Sequence, residues 1–266
     1  MNKLLNSFVC SLCFFLPLSG VAQPSKPNKL SMQVVIDPPR NAEDKAALQA
    51  MKDARTIDQF AQHVKDNFVL ERALTLHFGG EDGPHYDPEA STIHMPYGFI
   101  QEVDDNFSKA RYQRPGVSRK EAIQHAITAV LFHELAHALI DAYGLPIVGK
   151  EEDAADGLAV VALIRLYPKG RELAISAADL YEIESRDTTP EKEDYFDAHS
   201  LDIQRHYSML CQVYGSDPGP YAWLAKKAGF TQDRREGCEE EFVILDDSWL
   251  ALLEPFLKKG APLLKQ

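Results

Sequence analysis

The first hundred residues alternate between short apolar segments and one long amphipathic stretch. Apolar and polar positions alternate over 31–37, which predicts a β-strand. A helical period runs over 41–69, and a break in it is predicted near 54–56. Two further strands are predicted at Leu74–Phe78, which ends at a Gly-Gly pair, and at 91–95, which follows two turn-rich segments. This part of the chain is therefore expected to form a small sheet with helices.

From Phe99 onward the pattern is mostly helical. Apolar residues recur at helical spacing, and proline or glycine residues separate the segments. The predicted helices cover 99–112, 119–142, 151–167, 171–185, 198–214 and 247–258. The expected fold class is α+β, with a small mixed sheet packed on the helix 119–142, a helical C-terminal lobe, and a cleft between the lobes.

Within the predicted helix 119–142, an apolar run surrounds the sequence His-Glu-Leu-Ala-His at 133–137. A helix that is apolar all round is normally buried. His133 and His137 are one helical turn apart and project from the same face, with Glu134 beside them. Because burying such groups unpaired costs several kcal/mol, a divalent cation held by the imidazoles would compensate for their burial. The spacing is that of zinc hydrolases in which the glutamate acts as general base.

The third ligand distinguishes between types of zinc site. One type requires a histidine at position 143 and a glycine at 140, but this chain has Tyr143 and Ile140. A glutamate on the next helix fits better, because a short reversal at 145–149 leads into the predicted helix 151–167. We therefore look for the third ligand in the first turn of that helix.

That first turn is rich in acidic residues, and they need separate explanations. Glu151 and Asp153 are accounted for by the favourable interaction of acids with a helix N-terminus. Glu152 and Asp156 are four positions apart on one face, so Glu152 can bind a metal while Asp156 accepts the remaining N–H of a ligand histidine. Glu152 is the predicted third ligand.

The first 22 residues have the pattern of a secretory signal peptide. A short basic start precedes the apolar run 4–18 and small residues at 20–22. A retained anchor is the alternative, but the run falls short of the ~20 residues that span a bilayer. The mature chain is expected to form one domain over 23–266, to be periplasmic or secreted, and to contain no other membrane-spanning stretch.

Removal of the leader leaves two cysteines, Cys211 and Cys238. In an exported protein such a pair is most simply a disulfide, which stabilises by roughly 3 to 4 kcal/mol in the chain-entropy model. Two free thiols or a metal-binding pair are the alternatives, although the spacing of known metal motifs is absent.

The formal net charge of the chain is −12. Such a charge argues against nucleic acid or an anionic membrane as partner, and it does not identify a substrate. The sequence gives no indication of the oligomeric state.

The residues His-Glu-Leu-Ala-His-Ala-Leu-Ile-Asp at 133–141, followed by Leu-Pro-Ile-Val-Gly-Lys-Glu-Glu-Asp-Ala-Ala-Asp at 145–156, resemble a bacterial family of candidate metallopeptidases of unknown function. This family is akin to the thermolysin-like gluzincins. Segments at 86–97 and 199–218 are also similar to it, so the resemblance runs through most of the mature chain. It implies a zincin-like peptidase, and by matched position it implies His133, His137 and Glu152 as the ligands of one Zn²⁺ and Glu134 as the base.

A peptidase mechanism requires one more group. Zinc with three protein ligands keeps an open position, lowers the pKa of its water to about 7 and polarises a carbonyl group. Glu134 would take the proton and pass it to the leaving amine. A donor to the oxyanion, typically worth about 3 kcal/mol, is sought among His199, Arg205, Tyr207 and Tyr143. His199 is preferred because the predicted helix 198–214 would line the far wall of the cleft.

A peptide or protein substrate also needs a surface to bind. Zinc proteases of this architecture pair an edge strand with the extended substrate backbone, and Thr92–Met95 is the hypothesis for that strand. An ordinary internal strand is the alternative.

Two other functions stay open at this point. One is a secreted zinc-binding module without turnover, against which Glu134 argues because structural sites normally fill all four positions with protein ligands. The other is a zinc hydrolase of a non-peptide amide or ester.

Overall fold

The N-terminal part of the chain folds into a four-stranded mixed sheet with two helices between its first two strands. The computed structural model describes residues 31–186 and 188–265, so the leader predicted at 1–22 lies outside the described residues. The elements in chain order are β1 (Met32–Ile36), α1 (Ala42–Asp53), α2 (Thr56–Asn67), β2 (Leu74–Phe78), β3 (His85–Asp87) and β4 (Thr92–Met95).

The order of the strands in the sheet is β1-β2-β4-β3. β1, β2 and β4 are parallel, whereas β3 runs antiparallel to β4 and forms one edge. One face of the sheet is buried, because Leu76, Phe78, Ile93 and Met95 are fully enclosed in the core. The opposite face carries partly exposed side chains, and these include several histidines.

The rest of the described chain is helical. It contains α3 (Tyr97–Lys109), α4 (Arg119–Tyr143), α5 (Glu151–Leu166), α6 (Gly170–Arg186), α7 (Asp202–Ser216), α8 (Pro218–Lys227) and α9 (Gln232–Leu253). Short 3₁₀ turns lie at Glu193–Tyr195, Glu254–Phe256 and Pro262–Leu264. The α+β fold expected from the sequence is confirmed.

Helix α4 is the centre of the molecule. Ser118 and Glu121 form a capping box at its start, and Gly144 ends it in the left-handed conformation with φ 57°. The helix packs against the sheet, α2 and α3 on one side and against α5 and α6 on the other. By length and composition alone α4 could cross a membrane, contrary to the expectation of no such stretch after the leader, but 78% of its most apolar window is buried inside the fold. It has the burial of a core helix.

The C-terminal helices are tied together covalently. Cys211 on α7 and Cys238 on α9 form the predicted disulfide, with their Cα atoms 5.1 Å apart. Arg165 of α5 also donates from Nε to Asp246 of α9 over 2.6 Å. Helix α9 is thereby joined to α7 and α5, two of the three helices that carry candidate site residues.

The C-terminal helices differ from the predicted pattern in three respects. Helix α7 begins at Asp202 and not near 198. Helix α8 was not predicted, and α9 begins at Gln232 and not at 247. Since α9 buries only a few of its side chains, its apolar period is too weak to be read from the sequence. The strand β3 was also missed, because it is very short and lies between turns.

Candidate metal centre

Three side chains of α4 and α5 bring their polar atoms to one point. The Nε2 atoms of His133 and His137 are 3.2 Å apart. Oε2 of Glu152 lies 3.1 Å from the first and 3.3 Å from the second. Zinc bonds of 2.0–2.1 Å in tetrahedral geometry place ligand atoms about 3.3 Å apart. The donor set and its spacing therefore fit a zinc ion.

His133 is held from behind by a charged pair. Its Nδ1 lies 2.8 Å from Oδ1 of Asp156, and Arg205 of α7 makes two hydrogen bonds to the same carboxylate, of 2.7 and 2.8 Å. Arg205 also donates to the hydroxyl of Tyr181 over 2.6 Å. Burial disfavours the charged imidazole, but the hydrogen bonds to Asp156 and Glu152 outweigh it and raise the pKa of His133 to about 9. The ring is fixed in orientation.

His137 has a carboxylate partner of its own. Its Nδ1 lies 2.8 Å from Oε1 of Glu151. The helix dipole alone accounts for Glu151 in the sequence, and the structure adds this contact. Two adjacent acids at the start of a helix look alike in the sequence, and only the packing of α5 against α4 decides which histidine each one meets.

Glu134 lies in the cleft, where no other side chain of the described chain pairs with it. Its carboxylate is buried, at 6% exposure, and makes no hydrogen bond or ion pair to the described residues. Burial raises the pKa of Glu134, against the opposing effect of the positive charges of His133 and His137. A buried carboxylate of this kind is available to accept a proton from a molecule in the cleft.

His199 approaches the same point from the opposite side. Its Nε2 lies 3.0 Å from Oε2 of Glu152. Donor atoms of His133, Glu152 and His199 all lie within 4.8 Å of one another. His199 was expected to open a helix, but α7 begins at Asp202, and His199 lies in the segment before it. That segment, and not a helix, forms this wall of the cleft.

The segment that carries His199 is held by two contacts. Asp197 accepts from the backbone N–H of His199 over 2.8 Å and lies 3.2 Å from its Nδ1. Lys150, directly before α5, donates from Nζ to the carbonyl oxygens of Asp197 and His199 over 3.0 and 3.1 Å. Neither Lys150 nor Asp197 was singled out in the sequence.

The three other candidate oxyanion donors point elsewhere, which corrects the prediction. Tyr143 donates to the carbonyl oxygen of Val69 over 3.1 Å and stacks on Phe256. Arg205 is occupied by Asp156 and Tyr181 behind the site. Tyr207 follows Arg205 by two positions, so it projects from the other side of α7, where its ring neighbours Phe230.

A cleft of about 440 Å³ opens over these residues. One side is formed by the loop and strand β3 at Pro84, His85 and Tyr86, and the other by the motif, Glu152 and His199. The hydroxyl of Tyr86 donates to Asp141 of α4 over 2.7 Å, and this ties the strand to the helix.

The edge-strand hypothesis for Thr92–Met95 is wrong, because β4 lies between β2 and β3. The edge beside the cleft is β3.

The comparisons with known proteins agree with this geometry. Searches among curated proteins and solved structures return no match. A family model matches residues 36–253, well over half of the chain. The resemblance inferred from the motifs is thereby confirmed, and the chain belongs to the family described as "Putative metallopeptidase".

Proposed function

We propose that this protein is an exported zinc-dependent peptidase with a gluzincin-like ligand set. The observation that carries the proposal is the triangle of His133, His137 and Glu152 atoms, with separations of 3.1 to 3.3 Å. It lies next to the carboxylate of Glu134, which makes no hydrogen bond or ion pair within the described residues. Family membership supports a metallopeptidase, and the ligand geometry supports zinc as its metal.

His133, His137 and Glu152 would hold the ion, with Asp156 and Glu151 orienting the two imidazoles. When bound, zinc supplies a Lewis acid that polarises a carbonyl group and makes a water acidic at neutral pH. Glu134 then accepts the proton of the attacking water and delivers it to the leaving amine nitrogen. Its burial favours the first step, because a raised pKa makes this carboxylate a better proton acceptor.

β3 is the proposed binding strand for the substrate. It is an edge strand, and it borders the cleft through His85 and Tyr86. Its outward backbone N–H and C=O groups suit an extended peptide, which would add a strand to the sheet. The contact of Tyr86 with Asp141 keeps this strand at a fixed distance from α4.

His199 is the proposed donor to the oxyanion of the tetrahedral intermediate. It faces the motif across the cleft, and Asp197 at 3.2 Å from Nδ1 orients the ring. With Nδ1 beside Asp197, the ring can turn Nε2 towards the substrate and donate a hydrogen bond there. Such a donor would stabilise the negative charge that develops on the substrate oxygen.

The same position of His199 favours a second candidate function. Since its Nε2 is 3.0 Å from Oε2 of Glu152, His199 offers a fourth protein donor. Four protein ligands are typical of structural zinc sites, in which no position is left for substrate. The alternative is therefore a secreted zinc-binding module without turnover.

The experiment that tests the site is zinc content by elemental mass spectrometry after dialysis. We expect about one zinc per chain from the site in wild type. We expect its loss in His137→Ala and Glu152→Ala, and its retention in Asp153→Ala, an exposed acid of the same helix turn. A Glu152→Ala variant that keeps its zinc would remove the ligand assignment.

The two candidate functions are separated by His199→Ala. A peptidase loses turnover of a peptide library in this variant but keeps its zinc. A structural site loses zinc affinity, and the wild type cleaves no peptide. Retained zinc with unchanged turnover contradicts both roles of His199.

Export is proposed from the leader pattern at 1–22, and the disulfide of Cys211 with Cys238 fits an oxidising compartment. N-terminal sequencing of protein recovered from outside the cytoplasm should give a chain that starts near Gln23. An intact N-terminus there contradicts cleavage.

A further inference from the structure

Three histidines lie side by side on the outer face of the sheet. His77 on β2 is the register partner of His94 on β4, and His94 is the register partner of His85 on β3. Directly opposed residues on neighbouring strands share a face of the sheet. The imidazoles therefore form a row across three strands, which we call the histidine row (His77, His94 and His85).

The rings of the histidine row are in contact. Nδ1 of His77 lies 3.3 Å from Nδ1 of His94. The ring of His85 stacks on that of His94, with centroids 4.6 Å apart and planes within 11°. All three side chains are partly buried, so their positions are set by the sheet and not by free rotation in solvent.

Nearby oxygen acceptors indicate which ring nitrogens of His77 and His85 carry the hydrogen and which keep a lone pair. Nε2 of His77 faces Oδ2 of Asp37 at 3.0 Å, so its hydrogen is on Nε2 and the lone pair of a neutral ring is on Nδ1. Nδ1 of His85 faces the carbonyl oxygen of Gly83 at 2.8 Å, which leaves the lone pair on Nε2. The pairing of His77 with Asp37 is the arrangement in which a carboxylate orients a metal-binding imidazole.

The surroundings of His94 disfavour its protonation. Burial lowers the pKa of His94, and repulsion from His85 and His77 lowers it further. Neutral imidazoles are the form that binds divalent transition metals. The 3.3 Å separation of the two Nδ1 atoms equals the spacing of about 3.3 Å expected between two ligands of one zinc ion.

We propose that the histidine row is a second metal site, which binds a divalent transition-metal cation through Nδ1 of His77 and Nδ1 of His94, with His85 as the neighbouring third imidazole. Asp37 orients His77 from the far side. The site shares no ligand with the triangle of His133, His137 and Glu152, although His85 also lines the cleft over that triangle. His85 of β3 stacks on His94, so the site adjoins the strand that borders the cleft.

Isothermal titration calorimetry with Zn²⁺ tests the proposal. The number of zinc equivalents bound is compared among four forms of the full chain. Wild type is expected to take up two equivalents of Zn²⁺, and His94→Asn and His137→Ala one equivalent each. The double variant His94→Asn/His137→Ala should take up none. Because the two sites are removed separately, failure of the histidine row and failure of the proposed peptidase site give different patterns.

A matched control and a milder variant complete the test. Thr75→Asn changes the outer face of β2 without touching an imidazole and should keep both equivalents. Asp37→Asn leaves all histidines in place and should weaken the second equivalent by about 10- to 100-fold. This variant tests the site even if His94→Asn does not fold. Equal uptake by wild type and His94→Asn, or unchanged affinity in Asp37→Asn, overturns the proposal.

Discussion

The two walls of the cleft hold their functional side chains in different ways. The helical wall consists of His133, Glu134 and His137 on α4 and Glu152 on α5. The loop wall is the segment 197–201 with His199. The side chain of His133 is 8% exposed and that of His199 is 51% exposed. One wall is part of the core, and the other lies at the surface.

The contacts that hold the two walls also differ in burial. Behind the helical wall, Asp156 and Arg205 form a buried charged pair between α5 and α7. The loop wall depends on exposed contacts from Lys150 and Asp197. Because buried charge-assisted hydrogen bonds are stronger and less screened than exposed ones, we expect the helical wall to determine whether metal is bound. The loop wall is expected to affect turnover without affecting metal content.

The largest effect is expected at the helical wall, from Glu134→Gln. The substitution keeps the shape of the side chain and removes the proton acceptor. Peptidase turnover should fall by about 10²- to 10⁴-fold while zinc content stays the same. Parallel measurement of kcat and of zinc by mass spectrometry checks this, and loss of zinc in this variant would show that Glu134 has another role.

Next in size is Asp156→Asn, which weakens the support of the helical wall. The carboxylate that orients His133 and neutralises Arg205 becomes an amide, so zinc affinity should fall by about 10- to 100-fold. Asp153→Asn, on the exposed side of the same helix, is the matched control and should have no effect. Competition with a chelator gives the zinc affinity of each variant. Equal affinities in Asp156→Asn and Asp153→Asn would contradict the role of the buried support behind the helical wall.

A third prediction concerns stability, through a histidine of α4 outside the site. Burial, and then the charge of Arg114, lower the pKa of His125 to about 4. The folded state favours the neutral ring, so between pH 6.5 and 4 the unfolded state binds more protons and stability falls as the pH falls. The contribution is on the order of 2 kcal/mol. Denaturant unfolding of wild type and His125→Gln at several pH values checks this. The free energy of unfolding should fall less steeply towards acid pH in the variant than in wild type.

The smallest effect is expected at the loop wall, from Lys150→Met. The variant loses two exposed hydrogen bonds to the backbone around His199, so kcat/KM should fall by about three- to tenfold with zinc content unchanged. Lys192→Met, an exposed lysine of the neighbouring turn, is the control. Loss of zinc from Lys150→Met would falsify the division between the two walls.

Much of the helical wall follows from local sequence. The i, i+4 spacing of His133 and His137 places both rings on one face of any helix, and the apolar residues around them require that helix to be buried. The acidic first turn of the next helix supplies Glu152. The spacing within one helix depends on helix geometry alone, so the histidine pair was predictable, whereas the contacts of Glu151 and Glu152 depend on the packing of α5 against α4.

The orientation of α7 was not predictable in the same way. Its sequence offers Arg205 and Tyr207 as equally polar candidates, and only packing against α5 and α6 decides that Arg205 turns to Asp156 while Tyr207 turns to Phe230. The start of α7 at Asp202 likewise depends on contacts made by the preceding segment.

By itself, the sequence determined the α+β class, the pair of helices that carries the candidate ligands, and the disulfide between Cys211 and Cys238. Only the tertiary structure decided that β3 is the edge beside the cleft, that His199 meets Glu152, and that three histidines form a row. The reason is physical: spacing along a helix is fixed by backbone geometry, whereas strand order and the approach of distant segments result from how the whole chain buries its apolar surface.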